Sequence, residues 1–243
     1  MLGEPIWRLE EADSTNRVAL DWTDAPHGAC VVARRQTNGR GRLGRHWNSP
    51  LDKGLYLSVV LKPKNEANLG LYSLATALSA ALALESVAFE ALVPLKVRLK
   101  WPNDILCVSK SGEARKIGGI LCEAKNEKIV LGVGLNLLHD ACDLPERPIF
   151  PASSLRLETG DDFAIEDILQ AVLHQLDTVL KDDWSHWRHE FARRCYGIGD
   201  VVRVKTAHAT KIGIFEGSGD DGSLLLRTAD GLTRVLAGDV DYL

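Results

Sequence analysis

The 243-residue sequence lacks several features that would each have named a class of protein. Its five cysteines, Cys30, Cys107, Cys122, Cys142 and Cys195, form an odd, dispersed set with no C-x-x-C pair. That excludes a disulfide framework and a zinc ribbon, and predicts reduced thiols in the cytoplasm. No cluster of His and Cys has ligand spacing, so no tightly held, protein-ligated metal is expected. No apolar run reaches the roughly 18 residues that a membrane span requires, so no membrane partner is expected. The segment before Ser14 carries acids and a proline where an export signal needs an apolar core. Positive charge is not in excess either: the formal net charge is −4 and the pI is about 6.0. Bulk attraction to nucleic acid or to an anionic membrane is thereby disfavoured. Repeats and low-complexity segments are absent.

What remains is an ordinary globular composition, 45% hydrophobic and 26% charged. The length suits one domain with an appendage or two small domains. One stretch departs from the average. Between Val31 and Leu51 lie Arg34, Arg35, Arg40, Arg42, Arg45 and His46, and no carboxylate. Glycines 39, 41 and 44 alternate with the arginines, allowing positive φ or close backbone approach, while the guanidiniums offer paired donors to phosphate or carboxylate oxygens. The stretch reads as an anion clamp. These glycines also match G-x-G-x-x-G, but a dinucleotide site needs a helix next, and Asn48, Pro50 and Gly54 forbid one.

In chain order, Ile6 to Leu9 reads as a strand, and Asp13-Ser14-Thr15-Asn16 as the start of a helix reaching Trp22. Ser14 and Thr15 there either cap the helix or meet a polar ligand at its N-terminus. Strands are expected at Ala29 to Arg35 and Leu55 to Leu61, with the clamp hanging between them, and a buried helix from Asn68 to Phe89. Leu95 to Trp101 alternates apolar and basic residues, Pro102 ends it, and Ile105 to Val108 returns. The Trp101-Pro-Asn-Asp104 corner is either a plain hairpin turn or a site using Lys100 and Asp104. In the strand Lys116 to Glu123, Lys116 and Gly118 should share a face. In Ile129 to Asn136, Gly132, Gly134 and Asn136 fall on one face and Leu131, Val133 and Leu135 on the other. The glycine strip could seat a planar ring with the Asn136 amide at its edge, or simply allow close packing on a helix. An irregular loop spans His139 to Ser154. Helices follow at Ile165 to Leu180 and Trp184 to Arg193, then short strands at Val201 to Val204, Lys211 to Glu216, Leu224 to Thr228 and Thr233 to Leu236. That tail reads as a small SH3-like barrel, too small to hold much chemistry.

Each motif is weak alone, but their order is specific. Ser14-Thr-Asn16, Gln36, Gly39-Arg-Gly-Arg-Leu-Gly-Arg-His-Trp47, Lys100-Trp-Pro-Asn-Asp104, Lys116-Ile-Gly-Gly-Ile-Leu-Cys-Glu123 and Gly132-Val-Gly-Leu-Asn136 together resemble biotin protein ligases over essentially residues 5 to 243. The resemblance implies an α+β fold: a mixed-sheet catalytic domain like the class II aminoacyl-tRNA synthetase core over 1–195, then an SH3-like β-barrel over 196–243. It implies a two-step reaction, in which biotin attacks the α-phosphorus of MgATP to give biotinyl-5′-AMP, and a lysine of a biotin carboxyl carrier protein takes the biotinyl group. ATP with Mg²⁺ and biotin are then substrates. The implied biotin wall is Ser14, Thr15, Asn16, Gln36, Gly39, Arg40, Gly41, Arg42, Lys116 and Gly118. The implied nucleotide wall is Arg42, Arg45, Trp47, Lys100, Asn103, Lys116 and Asn136, with Arg42, Lys116 and Asp104 as the catalytic set and Asp104 the candidate to orient or deprotonate the incoming lysine. Some relatives carry an N-terminal DNA-binding domain, for which the residues before Ser14 leave no room, and no DNA partner is expected. Some dimerise through a sheet edge, which no residue here decides. Where some members place an aromatic residue to stack on adenine, this chain has Pro151-Ala-Ser-Ser-Leu155. Lipoate or octanoate ligases of the same fold are the nearest alternative, and a nucleic-acid-binding module the remote one.

Overall fold

The computed structural model describes residues 2–63, 68–145 and 150–243; part of the expected 139–154 loop thus lies outside the described residues. The first half of the chain builds a seven-stranded mixed sheet in the order β1-β2-β3-β7-β6-β5-β4. Its strands are β1 (Ile6–Ala12), β2 (Cys30–Gln36), β3 (Gly54–Leu61), β4 (Val97–Lys100), β5 (Asp104–Val108), β6 (Ala114–Lys125) and β7 (Lys128–Asn136). Only β1 and β2 run parallel, joined by the short helix α1 (Thr15–Asp21); every other pair is antiparallel.

Alternation along the strands sorts the two faces. Cys30, Val59, Leu131, Val133 and Leu135 point into the main core, under α2 (Leu69–Glu90) and α4 (Ile165–Lys181). Val31, Val60 and Val130 point the other way, into a small cluster with Ala19, Val18 and Trp22 of α1. Asn68 starts α2 by accepting from the amides of Gly70 and Leu71 at 2.9 and 3.2 Å. By length and composition α2, at 22 residues, is long and apolar enough to cross a membrane, contrary to the sequence expectation, but 61% of its most apolar window is buried inside the fold. Its Leu74, Leu78 and Leu84 each contribute about 1.5–3 kcal/mol of burial. α4 presents Ile168, Leu169, Val172, Leu176 and Val179 to α2 on the expected stripe. A short helix, α3 (Leu155–Thr159), precedes α4, and α5 (Trp184–Arg194) follows it.

The C-terminal segment forms a five-stranded antiparallel sheet, order β11-β10-β9-β8-β12. Its strands are β8 (Val201–Lys205), β9 (Thr210–Ser218), β10 (Leu224–Thr228), β11 (Gly231–Val235) and β12 (Asp239–Tyr242), the last of which sequence reading missed. Asp230-Gly231 makes the expected turn, with Gly231 at φ 114°. The small sheet is docked on the large one: buried Trp101 donates from Nε1 to the Gly222 carbonyl at 3.0 Å, and Tyr196 N, whose carbonyl accepts from Tyr242 Oη at 2.9 Å, donates to the Leu99 carbonyl of β4 at 2.9 Å. The five cysteines are unpaired.

Candidate active site

The α1 face of the sheet carries a cavity of about 360 Å³, and nearly every polar motif singled out in the sequence opens onto it. One end is built at the N-terminus of α1. Ser14 occupies the N-cap position but makes no side-chain cap bond, so its buried hydroxyl is left to the cavity. The Thr15 amide donates to Gln36 Oε1 at 2.8 Å, and Gln36 Nε2 donates to Ser49 Oγ at 2.8 Å. Asn16 donates to the Leu121 carbonyl at 3.0 Å and to Glu123 Oε2 at 2.8 Å, and accepts from Ser58 Oγ at 2.6 Å. All of the Asn16 amide is thereby engaged, which fixes the helix start rigidly against β3 and β6. Ser58 and Glu123 had not been singled out as site residues, although Glu123 closes the quoted Lys116 to Glu123 block.

The arginine loop folds back on itself as a small clip. Gly41 N donates to the Arg45 carbonyl at 2.7 Å, Trp47 N donates to the Gly39 carbonyl at 2.8 Å, and the tip turns through Leu43 at φ 56° and Gly44 at φ 71°. Gly39 is required by space: a Cβ there would lie 2.4 Å from the Trp47 carbonyl oxygen. It is buried and does not line the cavity, contrary to its implied place in the biotin wall. Arg40 pairs with Glu123 at 3.1 Å, and Arg42 Nη1 donates to Asn103 Oδ1 at 3.3 Å. Burial lowers the Arg42 pKa, opposed by the carboxylates of Asp239 and Asp104, while Arg45 adds to the lowering. A guanidinium stays charged regardless, so Arg42 is a partly desolvated cation aimed at the cavity.

The Trp101 to Asp104 corner is both a hairpin and a wall. Lys100 pairs in register with Asp104 across the turn, and Asn103 Nδ2 donates to the Ile120 carbonyl at 2.9 Å. Asp104 Oδ1 accepts from Lys116 Nζ, and its Oδ2 lies 3.8 Å from Lys100 Nζ. Here the sequence expectation fails in one respect. The β5–β6 register shifts between Ile105, opposite Gly118, and Leu106, opposite Lys116. This irregularity breaks the alternation of β6, so Lys116 and Gly118 do not share a face. The Lys116 Nζ lies 3.6 Å from a Cβ built on Gly119, whereas one built on Gly118 meets Leu135 and Ile105 in the core. Gly119, not Gly118, forms the cavity wall.

The glycine strip is occupied, but by the chain itself. A Cβ on Gly132 would lie 2.3 Å from Asn16 Oδ1, and one on Gly134 would lie 2.8 Å from the Trp47 indole. Trp47 therefore lies flat on β7, with Lys116 Nζ 5.5 Å from its ring centroid. The indole and Lys116 border both the main cavity and a second one of only about 10 Å³, lined also by Asn136, His139, Leu144 and Ala152. Asn136 Nδ2 donates to the Ser153 carbonyl at 2.9 Å, which fixes the amide and leaves Oδ1 as an acceptor toward that cavity.

His139 is fully buried, and neither ring nitrogen has a hydrogen-bond partner among the described residues. Burial holds its pKa at about 4 instead of 6.5, against the pull of Asp143. Between those values the unfolded chain takes up a proton that the folded one refuses, so stability should fall as pH is lowered across this window. The loss is complete below about pH 4, and the cost reaches at most roughly 3 kcal/mol. Urea unfolding of wild type and His139→Leu from pH 7 to 4 should show a flatter pH dependence in the variant; equal slopes would contradict it.

The small C-terminal sheet contributes to the site, contrary to the sequence reading. Asp239, Val240 and Asp241 of β12 line the main cavity, and Arg45 Nη2 donates to Asp239 Oδ2. The described wall thus combines Arg40, Arg42, Arg45, Lys100 and Lys116 with Asp104, Asp239 and Asp241, an excess of positive charge. Such a cavity favours an anionic ligand. Among the described residues no group of His, Cys, Asp and Glu is arranged to hold a metal ion.

Comparison with known proteins gives the same direction. The biotin/lipoate A/B protein ligase family matches residues 9–140, more than half of the chain. The chain is 32% identical to the biotin–acetyl-CoA-carboxylase ligase of Paracoccus denitrificans, over 96% of this chain and 99% of that protein. It is 29% identical to the bifunctional ligase/repressor BirA of Bacillus subtilis, over 99% of this chain and 75% of that one. Among solved structures, a biotin protein ligase from Aquifex aeolicus in complex with biotin and ATP superposes with a TM-score of 0.84 at 30% identity, covering 99% of both chains. With a family match over more than half of its length and a relative 32% identical over nearly all of both chains, this chain belongs to the biotin/lipoate A/B protein ligase family.

Proposed function

We propose that this protein is a biotin–protein ligase that activates biotin with MgATP as biotinyl-5′-AMP and passes the biotinyl group to a lysine of a biotin carboxyl carrier protein. The observation that carries the reading is the divided cavity. A rigid polar wall of Ser14, Thr15 and Gln36 stands at one end, the Lys116–Asp104–Lys100 set and the arginine clip in the middle, and the Asn136 acceptor beyond Trp47. The Paracoccus relative is named for the acetyl-CoA-carboxylase acceptor, and the Aquifex structure holds biotin and ATP.

In the first step a biotin carboxylate oxygen attacks the α-phosphorus and pyrophosphate leaves. Two anions must meet, so the wall's cations are the main catalytic resource. On this reading Arg42 and Lys116 neutralise charge at the reacting oxygens, Arg40 and Gly41 cover the biotin, and Arg45 and Lys100 face the phosphates. Asn136 Oδ1 accepts from the adenine amino group. Mg²⁺ arrives with the nucleotide. In the second step the carrier lysine amine attacks the acyl carbon, AMP leaves with the bonding electrons, and the amine proton passes to a base, for which Asp104 is placed beside the reacting centre. Residues 1–195 are read as the catalytic unit and 196–243 as an SH3-like unit that completes its wall.

ATP–pyrophosphate exchange should depend on biotin. Exchange driven by lipoate or octanoate and not by biotin would replace this reading with a lipoate-type ligase.

A further inference from the structure

We propose that Asp239, at the start of β12, is the positioning residue of the arginine clip: from the small C-terminal sheet it holds Arg45 and Arg42 over the cavity before nucleotide arrives. This inference rests on the ligase reading for its kinetic consequences, but not for its geometry. The clip is held at two points. At its base Arg40 pairs with Glu123 of β6 at 3.1 Å. Near its tip, Asp239 Oδ2 accepts from Arg45 Nη2, Asp239 Oδ1 lies 3.9 Å from Arg42 Nη1, and the Gly238 carbonyl accepts from Arg42 Nη1 at 3.4 Å. Leu43, between the two tied arginines, is 77% exposed, so no apolar packing holds the tip down. The polar ties are what fix it.

Other acids of this region are committed elsewhere. Asp241 pairs with Lys205 on the neighbouring strand at 2.7 Å, and Asp104 is held by Lys116 and Lys100. Asp239 faces the clip with both oxygens. Ordering a loop costs conformational entropy for every residue placed. With Asp239 present that cost is met on folding; without it, nucleotide binding must meet it. The carboxylate also occupies space near incoming phosphates, so its removal could instead strengthen nucleotide binding by relieving repulsion. The two effects have opposite signs, and the tether is inferred to prevail because Arg45, the more exposed arginine, takes the close contact and leaves Arg42 directed at the cavity.

The test uses the full chain with Asp239→Asn, Asp239→Glu and a control, Asp220→Asn, which removes a different ion pair joining the small sheet to the large domain, Arg188–Asp220. Partly exposed ion pairs are individually modest, so Asp239→Asn should raise the KM for ATP and the biotinyl-AMP release rate by about three- to fivefold. It should leave kcat and the biotin dissociation constant within about twofold. Asp239→Glu should recover most of the loss, and Asp220→Asn should behave as wild type. Hydrogen exchange at the amides of residues 39–47 in the unliganded protein supplies a readout independent of activity, and should accelerate in Asp239→Asn. Unchanged loop exchange, a KM for ATP that is unaltered or lower, or an equal effect from Asp220→Asn would overturn the proposal. Absence of biotin-dependent exchange in wild type would instead overturn the ligase reading, leaving the hydrogen-exchange comparison to decide the tether.

Discussion

Lys116→Met should reduce the rate of biotin-dependent pyrophosphate exchange by about 10²–10³-fold, the scale seen when one preorganised donor is removed from a developing anion. The Lys116 side chain is 11% exposed, and its amine donates to Asp104 Oδ1 and lies over the Trp47 ring. Its backbone is clamped on both sides, Lys116 N donating to the Pro151 carbonyl at 2.9 Å and Ser153 N to the Lys116 carbonyl at 2.8 Å. A group so held costs little to reorganise as charge builds on the reacting oxygens. Methionine keeps most of the stem's volume, so the fold should persist, but Asp104 would lose its closest cation and keep the longer Lys100 ion pair at 3.8 Å. The local field would turn against an incoming carboxylate and phosphate. Single-turnover adenylation, with thermal unfolding as the fold control, measures this. A loss below about fivefold would remove Lys116 from the charge-stabilising role.

The second large effect concerns one hydrogen atom on β7. Gly134→Ala would put a methyl 2.8 Å from the Trp47 indole, closer than real contacts allow. The strand cannot retreat, since Gly134 is paired with Tyr56 of β3 on one side and Gly119 of β6 on the other. The indole must therefore leave its seat, and the partition between the two cavities goes with it. Overpacking of this kind costs about 1–3 kcal/mol, so the KM for ATP should rise roughly 10- to 100-fold. Gly132→Ala is the matched comparison, because its methyl would meet Asn16 Oδ1 at 2.3 Å instead. Its damage should fall on biotin affinity and spare the nucleotide. Isothermal titration with biotin and a KM series in ATP separate the two. Equal effects of both substitutions on both ligands would mean that β7 supports the site as a whole rather than seating two distinct groups.

Much of this arrangement was legible beforehand. The period-two runs of β4 and β7 identified their buried faces, the Trp101-Pro-Asn-Asp104 corner marked a hairpin, and the carboxylate-free arginine stretch marked an anion-facing loop. Three parts were not legible, for separate reasons. The register shift opposite Leu106 transfers Lys116 to the face of Gly119, and the local residue types give no sign of it. The glycine strip signalled close approach, but not that Asn16 of α1 would pack on one glycine and Trp47 on the other. Asp239 lies beyond the last strand expected from the sequence, and β12 went unnoticed, because its short pattern Asp-Val-Asp-Tyr carries too little apolar periodicity to register.

By itself the sequence determined which faces are buried, where the chain turns, where cations gather without acids, and, through the order of its motifs, the family. Those properties are local: burial of alternate residues and turn chemistry act within a few residues of where they are written. The tertiary structure decided which groups meet. Arg42 reaches the Gly238 carbonyl across 196 positions and Asn16 reaches Glu123 across 107. Such contacts arise from the docking of independently formed elements, where shape, register and charge are matched only after each element exists, and no spacing in the chain records that match.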